Sequence, residues 1–330
     1  MHTTRHCLSL GISVLALSLG SAAVTAAYAN TYPSKPIRLV IGFGAGGITD
    51  VAGRVVAQAL SEELGQPVVV ENRPGAGAGI AAAAVSQSAP DGYTLLLGTV
   101  GTQVVNNMIY KKLAYDPAAL TPVSLVSNSP YVLALAAASN AQAKDLGELA
   151  AWSKANPGKL NFGSAGNGSA PHLCLELLRL SSKVDMTHVP FKSGAEAVNA
   201  SIAGQVDAVC DAITVIEPHV KAGRLKMLAM GSDKRSAAAP DVPTGVEQGV
   251  VAFQVGSWNA LLGPAGMDAQ KVETLNKALE KAMVKPAIRK RLSDMGIDTM
   301  PLGTKAYADH VTAETAKWSK VVQAAGTRLD

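Results

Sequence analysis

Apolar positions along the chain follow two alternating patterns. Short, mainly apolar runs of strand length, beginning with Ile37 to Ile41, alternate with longer stretches in which apolar residues return every three or four positions. The first pattern predicts buried strands at Ile37 to Ile41, Val68 to Val70, Tyr93 to Leu97, Leu160 to Phe162, Met186 to Val189, Val206 to Cys210 and Leu225 to Met230. The second predicts helices at Asp50 to Leu64, Ile80 to Ala89, Asp145 to Asn156, Ala170 to Leu180, Asp268 to Met283, Pro286 to Met295 and Thr304 to Ala324. Glycine and proline mark the breaks: Gly65 with Pro67, Pro90-Asp91-Gly92, and Pro157-Gly158. Alternating strands and helices imply an α/β fold of parallel sheets with crossover helices.

Two segments repeat one architecture without repeating sequence. IRLVI-GFGAGGIT-DVAGRVVAQAL and KLNF-GSAGNGS-APHLCLELLRL each read as strand, glycine-rich turn and helix. Such a turn gathers free backbone N–H groups and the positive end of a helix dipole at one spot, which suits an anion. One such loop in each half of the chain suggests two lobes. Lys192 and Asp211 each follow a predicted strand end, where cleft residues tend to sit.

Composition narrows the class. Of 330 residues only 16% are charged and 48% are apolar, so the chain is neither disordered nor a coiled coil. The net charge of +4 is small and scattered, which excludes a nucleic-acid partner. The first 29 residues read as a secretory signal peptide: Arg5 precedes an apolar run from Leu8 to Val24, and Ala27-Tyr28-Ala29 supplies small residues near a cleavage point. The run is short for a membrane span, and Arg5 and His6 before Cys7 do not make a lipidation site. Beyond the leader, Cys174 falls in a helical pattern and Cys210 in a strand. A disulfide between them is permitted, but two buried thiols are the preferred reading.

Gly42 to Gly47 satisfies G-x-G-x-x-G between a strand and a helix, and Glu71 closes the next strand, so a nicotinamide-dependent oxidoreductase is an alternative. Against it, Glu71 lies well beyond the ~20 residues expected after that motif. Export argues against a dinucleotide, and the second anion-type loop is not predicted by such a fold. The chain lacks H-E-x-x-H, G-x-x-x-x-G-K-[ST] and G-x-S-x-G, so no catalytic group, metal or cofactor is expected.

The segments YPSKPIRLVIGFGAGGITD, LGQPVVVENRPGAGAGI, APDGYTLLLGT, KANPGKLNFGSAGNGSAPHL, VPFKSGAEAV, AGQVDAV, VKAGRLKMLA, DVPT and LLGPAG, in this order, resemble the Bug family, the TctC-type receptors of tripartite tricarboxylate transporters. The resemblance runs from about Tyr32 into the last helix. It implies a two-lobe Venus flytrap of the type II periplasmic binding class, each lobe a mostly parallel sheet flanked by helices. The implied first lobe is 30–127 with 255–330 and the second is 128–254, with crossings near Leu125 to Leu135 and Gln254 to Leu262. By motif, the resemblance assigns Phe43, Ala45, Gly46, Gly47 and Thr49 to one carboxylate-binding jaw, with Thr99 and Thr102 as wall residues. Ser164, Ala165, Gly166, Ser169 and His172 form the other.

The implied protein is a monomeric periplasmic receptor that captures a small organic carboxylate and delivers it to integral membrane transporter subunits. An orphan receptor feeding a sensor kinase would need the same surfaces. Some residues carry a local reading beside the functional one: Asp50 as a helix-dipole cap, and His172 as a partner for backbone groups at its helix start. The chain departs from the family pattern at Phe191 and Ser193 in VPFKSG, at Cys210-Asp211-Ala212, and at Asn259 after Trp258. These changes bear on the ligand's identity more than on the jaws.

Overall fold

The computed structural model describes residues 32–236, 238–300 and 303–325. The predicted leader, its cleavage point and Cys7 lie outside the described residues. In chain order the strands are β1 (Ile37–Ile41), β2 (Val68–Asn72), β3 (Thr94–Thr99), β4 (Thr121–Ala136), β5 (Asn161–Ser164), β6 (Thr187–Pro190), β7 (Ala208–Ala212), β8 (Leu225–Met230), β9 (Gly256–Gly263) and β10 (Asp298–Thr299). The helices are α1 (Ile48–Leu64), α2 (Gly79–Ser86), α3 (Asn106–Ile109), α4 (Leu146–Ala155), α5 (Ala170–Ser182), α6 (Gly194–Ile202), α7 (Ile213–Lys221), α8 (Ala269–Met283), α9 (Pro286–Asp294) and α10 (Thr304–Ala325).

Helix α1 illustrates how the pattern becomes structure. Ile48, Ala52, Val55, Val56, Ala59 and Leu60 recur at helical spacing and are all buried. The helix stops at Gly65, whose φ of 64° lets its N–H return to the Ser61 carbonyl. Helices α4, α5 and α6 start on Asp145, Ser169 and Ser193, each side chain accepting from a first-turn amide.

The strand order is β2-β1-β3-β9-β4-β7-β5-β6. The pairs among β2, β1 and β3 are parallel, as are those among β7, β5 and β6, in keeping with strands joined by crossover helices. Antiparallel β9 and β4 lie between these two parallel groups, so each lobe is mostly parallel with an antiparallel strand on its inner border. A dinucleotide-binding sheet has no such border, and Glu71, its would-be ribose acid, is paired instead with Arg73 and Arg38.

Strand β4 belongs to both lobes. Residues Thr121 to Pro130 pair with β9, Tyr131 to Leu135 pair with β7 on one side, and Val132 to Ala136 pair with β8 on the other. At the changeover, three segments close a ring of backbone hydrogen bonds: Tyr131 N–H to Val255 O (3.0 Å), Val255 N–H to Gly231 O (2.9 Å), and Gly231 N–H to Tyr131 O (2.7 Å). Pro130 sits opposite Gly256 there, and a Cβ on Gly256 would lie 2.6 Å from the Ser129 carbonyl oxygen. Behind this joint α10 is fastened by Glu314, which accepts from the indoles of Trp258 (3.0 Å) and Trp318 (2.7 Å).

One expectation is corrected. Cys174 and Cys210 are not separate thiols; they form a disulfide with a Cα–Cα distance of 6.4 Å. Helix α5 packs across β7 and sets the two side chains face to face, a proximity that sequence spacing does not reveal. The bond ties the helix behind the second glycine loop to the strand that ends at Asp211. A Cys174→Ala, Cys210→Ala double variant should lose about 2–4 kcal/mol of stability in urea unfolding, whereas an unchanged midpoint would show that the bond contributes nothing.

Candidate functional site

The two glycine-rich turns face one another across the lobes. Phe43 from the first, Ala165 from the second, and Ala78 form one buried apolar cluster. The first turn also abuts the start of α6: Gly44 N–H donates to the Lys192 carbonyl (3.3 Å), and a Cβ on Gly46 would meet that of Ala195 at 3.8 Å. The lobes therefore stand closed.

Behind this contact lies an inner chamber of about 20 Å³, room for a water or one small polar group. The first lobe contributes Phe43, Gly47, Ile48, Thr49 and Thr99, and the second Ala165, Ala170, Pro171, Gly194 and Asp211. The hinge contributes Tyr131 from β4 and Ser257 from β9. An outer mouth of about 440 Å³ shares Ala165 and is lined by Gly75 to Gly77, Tyr110, Gly166, Asn167, Pro190 to Lys192, and Glu196.

The chamber is positive without a cation in its lining. Its residues include the first turns of α1 (Ile48, Thr49), α5 (Ala170) and α6 (Gly194), whose amides have no intrahelical acceptor. Three helix dipoles thus end on it with their positive poles. Hydroxyls complete the lining. Thr49 Oγ1 lies 3.5 Å from Ser257 Oγ, the Tyr131 phenol hydrogen-bonds Ser257, and Thr99 Oγ1 is buried without a partner. Burial, reinforced by nearby Asp211, holds the Tyr131 phenol protonated far above its ordinary range.

Among the residues singled out from sequence, Phe43, Gly47, Thr49, Thr99, Ala165 and Asp211 line the inner chamber, and Gly166 and Lys192 line the mouth. The others build the walls. Ala45 and Gly46 are exposed, and the Gly46 amide is taken by Asp50 Oδ2 (3.0 Å). Thr102 Oγ1 accepts from Thr99 N–H (2.9 Å) and donates to Thr99 O (3.1 Å), fixing the end of β3. Ser169 Oγ caps α5 and donates to Gly166 O (2.6 Å). Ser164 Oγ accepts from Gly166 N–H (3.0 Å) and lies 2.5 Å from His188 Nε2. His172 Nδ1 accepts from Gly168 N–H (3.1 Å), leaving its proton on Nε2, which lies 3.5 Å from Glu176. Its ring stacks on His188 at 4.4 Å. Burial, with the neighbouring His172, pushes His188 down to about 3. The histidine pair braces the second loop from beneath. Asp50 also braces: burial raises its pKa, but hydrogen bonds from Arg54, Gly46 and Asn72 outweigh this and leave it below its usual value.

Sequence reading passed over Tyr131 and Ser257 because both come from hinge strands treated as connectors. Asp211 is the ionisable group that stands out. It is 2% exposed, Oδ1 accepts from Ala212 N–H (2.8 Å), and Oδ2 faces Gly194 so closely that a Cβ there would lie 1.8 Å away. Burial pushes its carboxyl up to about 7.

A model of the tripartite tricarboxylate transporter family receptor matches residues 52–327. Three solved structures are similar. The periplasmic binding protein BugD is 32% identical, covering 90% of this chain and 99% of its own, with a TM-score of 0.83. MatC from Rhodopseudomonas palustris, solved with bound malate, is 35% identical over 88% and 100%, with a TM-score of 0.83. Rpa4515 of R. palustris, solved with adipate, is 31% identical over 91% and 100%, with a TM-score of 0.85. Among the described residues no helix is long and apolar enough to cross a membrane.

The raised Asp211 carboxyl has a consequence for stability. The folded chain holds a proton there between the unfolded value near 3.8 and about 7, so this group's contribution falls as pH rises through that window. Asp211→Asn should therefore gain stability over the parent chain on going from pH 5 to pH 8, by roughly 1–4 kcal/mol in urea unfolding. The His188 contribution has the opposite sign and cancels in the comparison. An equal difference at both pH values would mean that Asp211 titrates normally.

Proposed function

The chain belongs to the tripartite tricarboxylate transporter receptor family, whose members are periplasmic solute-binding proteins, and from that premise we propose that it captures a small organic carboxylate between its lobes for delivery to membrane transporter subunits. The lobe limits that go with this reading are 30–127 with 255–330, and 128–254. The chain would be exported as a monomer after removal of a leader ending near Ala29. The observation that carries the reading is the convergence of helix N-termini from both lobes, with Thr49, Thr99 and Ser257 hydroxyls, on one chamber lined by no cation. The malate and adipate of the similar structures are acids of the same class.

The magnitudes suffice. Micromolar affinity requires about 8 kcal/mol net. Hydrogen bonds to a charged group contribute about 1.5–3 kcal/mol each, and a partly buried helix terminus up to about 2 kcal/mol. Four or five such donors and two or three termini exceed the cost of association. The chamber holds only one end group of such an acid, so entry requires the lobes to part and then close over it. Closure is favoured because only then do both sets of amides reach the same carboxylate.

Chemical or thermal unfolding with malate, adipate, benzoate, glutamate and NAD tests the reading. A true ligand at ~100 times its Kd should stabilise the protein by about 2.7 kcal/mol. Stabilisation by NAD and by none of the acids would sink it. Thr99→Val offers a sharper check: the buried hydroxyl has no partner among the described residues, so affinity for the acid should fall roughly tenfold while the unliganded chain keeps its stability.

A further inference from the structure

We propose that Asp211 is a specificity-determining residue that meets the incoming carboxylate as its neutral acid, donating a hydrogen bond to it, so that capture fixes a proton on Asp211 and draws it from solvent whenever the unliganded acid is ionised. The inference rests on the carboxylate reading above. The proton comes from the buffer and stays on Asp211, and no other bond forms or breaks.

Geometry carries it. Among the described residues Asp211 is one of the most buried carboxyls, lines the inner chamber, and has no cationic partner. Among the same residues its one hydrogen bond is from the adjacent Ala212 amide to Oδ1, which leaves Oδ2 to the chamber and to Gly194. Two ionised carboxylates in a chamber of about 20 Å³ would repel strongly. When like charges share such a site, one takes a proton and becomes a donor to the other. The ligand's charge can be met by three helix termini, and the buried side-chain acid is the group that gives way. The tendency of unliganded Asp211 to hold a proton near neutrality is consistent with this.

Among the described residues, the carboxyls, phenol and imidazoles of the surrounding elements are engaged elsewhere or buried. Facing Asp211 from β4 is the Tyr131 phenol, which burial keeps protonated. On α6, Glu196 accepts from the Lys192 amide at the exposed mouth. On α5, Glu176 is held by His172 and Arg179, and on α7, Glu217 pairs with Lys221. His188, on β6, is bonded to Ser164 and stays neutral above about pH 3.

The test is calorimetric titration with malate, adipate, benzoate and glutamate from pH 6.5 to 8.5, in buffers of different ionisation enthalpy. Above pH 6 these acids are mostly ionised, so their own titration contributes little. For the parent protein the Kd should rise at least several-fold across this range, with proton uptake per ligand that grows toward one as the pH rises. Asp211→Asn keeps a donor at that position, so it should bind within about threefold of the parent at pH 6.5 and lose the pH dependence. Asp211→Ala should bind at least tenfold more weakly at pH 6.5. An affinity that is flat or rises with pH overturns the proposal while leaving the carboxylate function standing. Loss of binding in Asp211→Asn overturns it in favour of an ionised Asp211 paired with a ligand cation. Failure of the parent to bind any of the acids overturns both.

Discussion

A buried peptide group must be hydrogen-bonded, and strand β4 satisfies that rule by belonging to two sheets at once. Thr121 to Pro130 run along β9, with bulges at Val123 and Val126, and Val132 to Leu135 are paired on both edges, to β7 and β8. The strand cannot be interrupted without orphaning those groups, so the joint between the two sheets lies where the pairing changes partners. There Tyr131, Gly231 and Val255 bond in a ring, and Gly256 leaves out the side chain that the Ser129 carbonyl would meet. The residue at this joint whose side chain enters the chamber is Tyr131. Hinge and site therefore share a residue, and a shift in one is felt in the other.

The chamber obtains its positive character from main chain alone. A lysine or arginine there would bind an anion more strongly but would also have to be desolvated at each closure. Amides fixed at helix starts carry no such cost, because the helices already align them. Their positions depend on supports one layer back: Asp50 holds the first turn through the Gly46 amide, while His172 and Ser164 hold the second through Gly168 and Gly166. Several polar residues near the site thus serve by bonding to the loops.

What could be read from sequence followed from how local the cause was. Ile37–Ile41 and Leu225–Met230 match their predicted limits because a short apolar run between turn residues is self-contained. Helices α1, α5 and α8 were legible from spacing and capping residues. The sixteen residues of β4 were not, because Ser124, Ser127, Asn128, Ser129 and Pro130 interrupt the apolar pattern, and what makes them a strand is pairing with residues more than 100 positions away. The resemblance located the turns that meet, yet the split between lining and support was hidden. Ser169 and His172 have the chemistry of ligand-binding residues, and only coordinates show their polar atoms spent on Gly166 and Gly168. The cysteine count permits the disulfide but cannot decide it, for the same reason, since the bond depends on the crossing of α5 over β7.

The closeness of Gly194 to Asp211 couples the two positions. The first carbon of a side chain at 194 would overlap Asp211 Oδ2 in its present place, so an alanine there obliges the acid to move, and a shorter residue at 211 would remove the conflict. A change at 194 is therefore also a change in where the acid's oxygen sits, and its cost is set by how freely that carboxyl can turn.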